Sequence, residues 1–213
     1  EDRRKVIKIA LVDSDAVFDF PEVGRGRGAV PARNPVELDR RRASRNVFRK
    51  ITSARTGNPR NQYLPDLLFI RPCDANETLW AWKAAIENRH RPTILSLTRQ
   101  NVPTLDRSMF APADGLLKGA YVLNPIVAKP DIILMATGSE VSLIAAAEKT
   151  LAEKGVKARL VSMPCWALFE EQPAEYRESV LPSSVKARLA VETGVSLGWH
   201  KWVGERGASL TLD

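Results

Sequence analysis

Arg99 follows an apolar run and opens the stretch Arg99-Gln100-Asn101. An arginine just beyond the carboxyl end of a buried strand stands where open α/β sheets bind their ligands. Its guanidinium can grip a phosphate through two parallel hydrogen bonds. Position alone leaves a structural ion pair as an equal reading. Thr137-Gly138-Ser139-Glu140 is a second candidate, a turn from strand into helix whose free amides can hold an anion. The sequence has neither the G-x-G-x-x-G fingerprint nor a P-loop. Capping by Ser139 is therefore the simpler reading, with Gly138 permitting the tight turn. His90 and His200 are the only two histidines, and neither an H-E-x-x-H nor a Cys-x-x-Cys motif accompanies them. No metal site is read from them, and His200 is assigned to packing or surface. Cys73 and Cys165 have no sequence neighbour that would activate a thiolate, and both read as buried, inert thiols.

Two further groups could meet nucleic acid. Trp80, Trp82, Trp166, Trp199 and Trp202 could stack on bases, but Trp82 falls at helical spacing with other apolar residues, which favours packing. The net charge of +7 comes entirely from the N-terminal stretch: through Tyr63, Lys and Arg outnumber Asp and Glu by 15 to 8, and the remainder holds 17 of each. Without interleaved aromatics those arginines form only a weak, non-specific signal, so nucleic acid is not an expected partner. No apolar run reaches the roughly 18 to 20 residues of a membrane span. The start, Glu1-Asp2-Arg3-Arg4-Lys5, is not signal-like. Two cysteines fit a reducing compartment. A cytosolic protein is expected.

The elements that must position these residues fall into two unlike parts. Through Tyr63 one plausible strand, Val6 to Val12, is followed by Gly24-Arg25-Gly26-Arg27-Gly28, Pro31, Pro35 and Arg40-Arg41-Arg42. Too few apolar residues are present there to offset ordering entropy, and disorder is expected. From Leu64 the pattern changes. Leu67 to Ile70 reads as a buried strand, Glu77 to Asn88 as a helix capped by Asp74 or Asn76, and Thr93 to Leu97 as a second strand. Leu79, Trp82 and Ile86 form the apolar face expected to pack inward. This β-α-β unit implies parallel strands. After a Pro-bearing linker, strands are expected at Ala120–Leu123 (an edge), Asp131–Ala136, Ala158–Met163, Arg188–Glu192 and from Ser209. Helices are expected at Val141–Lys154, stopped by Gly155, and around Ala167–Val180. The fold class is α/β: a partial β-α-β unit followed by a mostly parallel sheet.

Residue chemistry by itself reaches a candidate anion-binding Arg99 and no reaction. Resemblance adds one. Arg71-Pro72-Cys73-Asp74-Ala75-Asn76-Glu77-Thr78, Leu97-Thr98-Arg99-Gln100-Asn101-Val102-Pro103, Ala136-Thr137-Gly138-Ser139-Glu140-Val141, Val161-Ser162-Met163-Pro164-Cys165 and Gly198-Trp199-His200-Lys201-Trp202-Val203-Gly204 together resemble transketolases. The family's first motif usually carries Ala where this chain has Cys73. The resemblance runs almost continuously from Leu64 to Asp213.

It implies residues 64–114 as the end of a pyrimidine-binding domain plus linker, and 115–213 as a truncated C-terminal domain, with 1–63 unmatched. Family members are homodimers that use thiamine diphosphate and a divalent cation, magnesium or calcium. They move a two-carbon ketol unit from a ketose phosphate to an aldose phosphate, the cofactor supplying the hard chemistry. By the same resemblance Arg99 corresponds to an arginine that binds substrate phosphate. No catalytic, cofactor-binding or metal-ligating residue carries over, and Glu77 lies in a different motif from the glutamate that activates the cofactor. The family's Gly-Glu-Asp-Gly-Pro-Thr-His-Gln-Pro segment is missing before Leu64. Suitable codons for Ile51 to Gly57, read two bases along, spell His-Phe-Gly-Glu-Asp-Gly, so a shifted reading frame is one explanation. The expectation is a fragment that binds no cofactor and is inactive alone. Its rivals are a non-catalytic interaction module anchored by the basic arm, and a fragment of a related ketol transferase such as dihydroxyacetone synthase.

Overall fold

The computed structural model describes residues 7–11, 17–19, 67–125 and 129–212, the first two stretches as backbone. Strands β1 (Ile7–Leu11), β2 (Val17–Asp19), β3 (Leu68–Ile70) and β4 (Thr93–Leu97) form one sheet in the order β2-β1-β4-β3. β4 runs parallel to both neighbours, with Leu95 opposite Ile9 on one side and Ile70 on the other, and β2 is antiparallel to β1. The strand read at Val6–Val12 thus forms at Ile7–Leu11. Within residues 1–63, expected to be disordered, these two strands are what is described; that expectation for the rest lies outside the described residues.

Helix α1 (Ala75–Glu87) connects β3 to β4. Asp74 caps it, its Oδ1 accepting the Glu77 N–H at 2.8 Å, which satisfies one of the helix's orphan amides. The face it buries is not the one its large apolar residues predict. Glu77, Ala81, Ala84 and Ala85 face inward, while Leu79 is 68% exposed, Ile86 50% exposed and Trp82 half-buried. The correction has a steric cause. The inward face meets β3, β4 and the short 3-10 turn Ala113–Lys118, and alanines let those backbones approach.

The second sheet has the order β5-β7-β6-β8-β9. β6 (Ile132–Ala136) and β7 (Ala158–Ser162) are its nearly continuous apolar centre. β8 (Arg188–Val191) and β9 (Ala208–Leu210) extend it in parallel, and β5 (Tyr121–Val122) closes the other edge antiparallel. Helix α2 (Glu140–Glu153) packs on one face with Val141 and Ile144 buried. The other face is covered by α3 (Trp166–Glu170), α4 (Ala174–Val180) and α5 (His200–Val203). The single helical region expected around Ala167–Val180 is two helices, because Pro173 cannot continue the first and instead opens the second. α5 was not expected. Four residues carry no periodicity, and the helix is held by the packing of Trp202 and Val203. Trp166 lies edge-on to Trp199 at 4.8 Å and to Trp202 at 6.0 Å, so these tryptophans are core, not a base-stacking surface. Burying a side chain such as Leu95 or Ile133 contributes roughly 1.5–3 kcal/mol.

Candidate functional site

β4 delivers Arg99. Thr93 to Ser96 are buried, the chain leaves the sheet after Leu97, and Arg99 and Gln100 emerge exposed. The turn is pinned by the Gln100 N–H donating to Thr98 Oγ1 at 3.2 Å. An exposed guanidinium at the carboxyl end of a parallel strand is the geometry the sequence predicts for gripping an anion.

The neighbouring strand delivers Arg71, which the sequence reading did not single out. Its Nη1 donates to both carboxylate oxygens of Glu192, at 2.6 and 2.7 Å, and its Nη2 to Glu140 Oε2 at 2.9 Å. Glu140 opens α2 and Glu192 follows β8, so one side chain ties the first sheet to the ends of two elements of the second. Nη1 alone serves both oxygens of Glu192 while Nη2 serves Glu140, and all three contacts are charge-assisted, the stronger class of hydrogen bond. Two signals were present: Arg71 directly follows a buried strand, and Glu140 and Glu192 sit just beyond others.

A second polar cluster lies under α1. Glu77 is fully buried; its Oε2 accepts the Cys73 N–H at 2.8 Å, and its Oε1 accepts Tyr121 Oη at 2.8 Å and Ser162 Oγ at 2.7 Å. Burial raises the Glu77 pKa above the usual carboxylate range, and hydrogen bonds from Ser162, Cys73 and Tyr121 oppose that rise. Burial likewise pushes up the Tyr121 phenol and the Cys73 thiol. Asp74 Oδ2 accepts from Arg107 Nη2 at 2.9 Å and from the Leu105 N–H at 3.0 Å. One carboxylate thus links the start of α1 to β5 and β7.

The remaining candidates resolve simply. Ser139 precedes α2 but makes no side-chain cap; its Oγ donates to Glu140 Oε1 at 2.7 Å. Cys73 and Cys165 are buried free thiols, and burial raises the Cys165 pKa to about 11. His90 and His200 are exposed. Among the described residues no group of three or more His, Cys, Asp or Glu could hold a metal ion, and no helix is long and apolar enough to cross a membrane.

Residues 119–213 match the transketolase-like TK C-terminal domain family. Curated relatives extend the match beyond that domain. The chain is 51% identical over 150 residues to a transketolase of Halalkalibacterium halodurans, and 47% identical over 150 residues to one of Aquifex aeolicus, each alignment covering 70% of this chain. The chain belongs to the transketolase family. The chain spans 22% of the length of those two transketolases. Solved structures agree. A Pichia stipitis transketolase in complex with sedoheptulose-7-phosphate is 42% identical with a TM-score of 0.65, covering 71% of this chain and 21% of that one. A transketolase from Leishmania mexicana is 38% identical with a TM-score of 0.64, again covering 71% and 21%. The parallel-rich α/β architecture described above is thus the transketolase fold of this region.

Proposed function

We propose that this chain is a piece of a transketolase whose parent, a cytosolic homodimer, transfers a two-carbon ketol unit between sugar phosphates with thiamine diphosphate and a divalent cation. In this reading residues 64–114 are the end of the pyrimidine-binding domain and 115–213 the C-terminal domain. Arg99 binds the substrate phosphate. The observation that carries the reading is the 51% identity to a curated transketolase over 150 residues, with Arg99 exposed at the carboxyl end of a parallel strand.

The described residues supply no cluster fit to hold the cation. No step of the thiamine chemistry is assigned to them, and the 213 residues by themselves are read as inert. What they contribute is a guanidinium for the phosphate and a rigid frame for it: β4 pairs on both sides, and Arg71 fixes the end of the adjoining β3.

Titration calorimetry with thiamine diphosphate and magnesium, followed by a ketol-transfer assay, tests inertness: neither heat nor turnover is expected, and saturable binding with turnover overturns it. A chimera tests Arg99. Residues 64–213 replace the matching stretch of the Halalkalibacterium relative, and transfer is expected to persist. Arg99→Ala then lowers kcat/KM for a phosphorylated acceptor about 10- to 100-fold, the worth of a charged hydrogen bond, and leaves an unphosphorylated acceptor unaffected. Equal losses on both acceptors would remove the phosphate role.

A further inference from the structure

An open α/β sheet takes its ligand in the crevice beyond the carboxyl ends of its strands. In the second sheet that crevice lies past β6 and β8, and a side chain from the first sheet already fills it. Arg71 places its guanidinium between Glu140 and Glu192, both 2% exposed, with three contacts of 2.6 to 2.9 Å. The two carboxylates are themselves fixed. Glu140 Oε1 accepts from Ser139 Oγ at 2.7 Å and from Thr193 Oγ1 at 3.0 Å, and Glu192 Oε1 accepts the Gly194 N–H at 2.9 Å. Gly138 provides the space. Its φ is +61°, and a Cβ there would sit 3.0 Å from Arg71 Nε and 3.2 Å from Cζ.

The main chain of Arg71 is held as well. Its N–H donates to the Pro164 carbonyl at 2.9 Å, and its own carbonyl accepts the Gly138 N–H and Thr137 Oγ1, each at 3.2 Å. Every one of these partners belongs to the second sheet or to the segments that follow its strands.

We propose that this crevice is a guanidinium-binding site of the C-terminal region, with Arg71 as its resident ligand. The chemistry selects that class of ligand. Two buried carboxylates disfavour any anion, which removes the phosphate reading of the Thr137–Glu140 turn. One planar fork serves two carboxylates through separate nitrogens, Nη1 on both oxygens of Glu192 and Nη2 on Glu140 Oε2, whereas an ammonium offers a single nitrogen, a compact point charge without that span. The site recognises the arginine that follows β3, and thereby the C-terminal region recognises the strand end it must sit beside. The inference does not depend on the chain's catalytic role.

Chemical rescue tests it in the full chain. Arg71→Ala leaves the two carboxylates facing a hole of guanidinium shape. Methylguanidine at millimolar concentration is expected to raise the thermal midpoint of this variant saturably while leaving the wild-type midpoint unchanged. At ten times its dissociation constant the ligand raises the folded-to-unfolded ratio about tenfold. Methylammonium at the same ionic strength is expected to do neither. If the variant does not fold unaided, the soluble yield on refolding with and without methylguanidine is the readout. A triple variant, Arg71→Ala with Glu140→Gln and Glu192→Gln, lacks the carboxylates and is expected to ignore methylguanidine. The proposal is overturned by equal shifts in wild type and Arg71→Ala, by no gain in midpoint or yield for Arg71→Ala, or by a response that persists in the triple variant.

Discussion

Arg71 and Arg99 stand just beyond the carboxyl ends of adjacent parallel strands, one residue past β3 and two past β4. Their surroundings are opposite. The Arg71 side chain is 12% exposed and bound by two carboxylates, whereas Arg99 is open to solvent. The pair teaches that a strand-end arginine in an α/β protein is either a ligand for its own fold or a hand held out to another molecule. What decides is whether a second layer of structure closes over it. At β3 the layer is the second sheet with its two buried glutamates.

The sharpest way to break that comparison is to truncate both arginines. Arg71→Ala is expected to destabilise the chain by about 3–5 kcal/mol, the cost of leaving buried charge without its partner. Arg99→Ala is expected to stay within about 0.5 kcal/mol, as for an exposed side chain. Urea unfolding of the two variants measures both. Comparable losses would mean that Arg99 is also a structural anchor, and would weaken its assignment to a phosphate.

Glu77 extends the contrast to pH. Burial raises its folded pKa above the ordinary carboxylate value, so the folded state holds a proton that the unfolded state has released. With more protons bound in the folded state, unfolding free energy falls as pH rises from the ordinary glutamate range through the raised folded value. The stability that Glu77 contributes is therefore complete at acid pH and declines above it. Glu77→Gln keeps the shape and removes the proton. Its stability relative to wild type is expected to improve as pH rises across that window, by about 1.4 kcal/mol for each pH unit while the difference in protonation is full. Cys73, Asp74, Tyr121 and Arg107 surround the group and are unchanged in the variant. A pH-independent difference between the two proteins would show that Glu77 ionises in place.

How much of this was legible in the sequence varies with the physical origin of each feature. β4 is legible to the residue, because five apolar or small residues between Pro92 and Thr98 allow little else. β6, β7 and α2 are legible within a residue or two from their apolar patterns. The Arg99 position followed from β4. Arg71 did not stand out, because Glu140 and Glu192 lie 69 and 121 residues away along the chain and no local pattern links them. The orientation of α1 is not legible, since periodicity counts large apolar residues and is blind to a face where close backbones demand alanine. The resemblance from Leu64 onward carried the family; spacing and charge alone would have stopped at an α/β protein with an exposed arginine.

Gly138 gives a smaller test of the closed site. It adopts φ +61°, and its missing Cβ leaves room for the Arg71 guanidinium. Gly138→Ala is expected to cost about 1–2 kcal/mol from the left-handed backbone, with crowding of Arg71 adding to it. In the Arg71→Ala background the crowding contribution should vanish and only the backbone cost remain. A double-mutant cycle in urea isolates the difference. Perfect additivity would mean that the glycine serves the turn alone.

The smallest effect belongs to the outer face of α1. Leu79→Ser on the exposed face should change stability by less than about 0.5 kcal/mol, since that residue is 68% exposed. Ala81→Leu on the buried face, a change that makes the helix look more amphipathic in the expected way, should destabilise by about 1–3 kcal/mol through overpacking against β3, β4 and the 3-10 turn. The order of these two effects is the informative quantity. A loss at Leu79 larger than the loss at Ala81 would mean that the large apolar residues are covered after all, and that the sequence pattern had identified a real contact surface on α1.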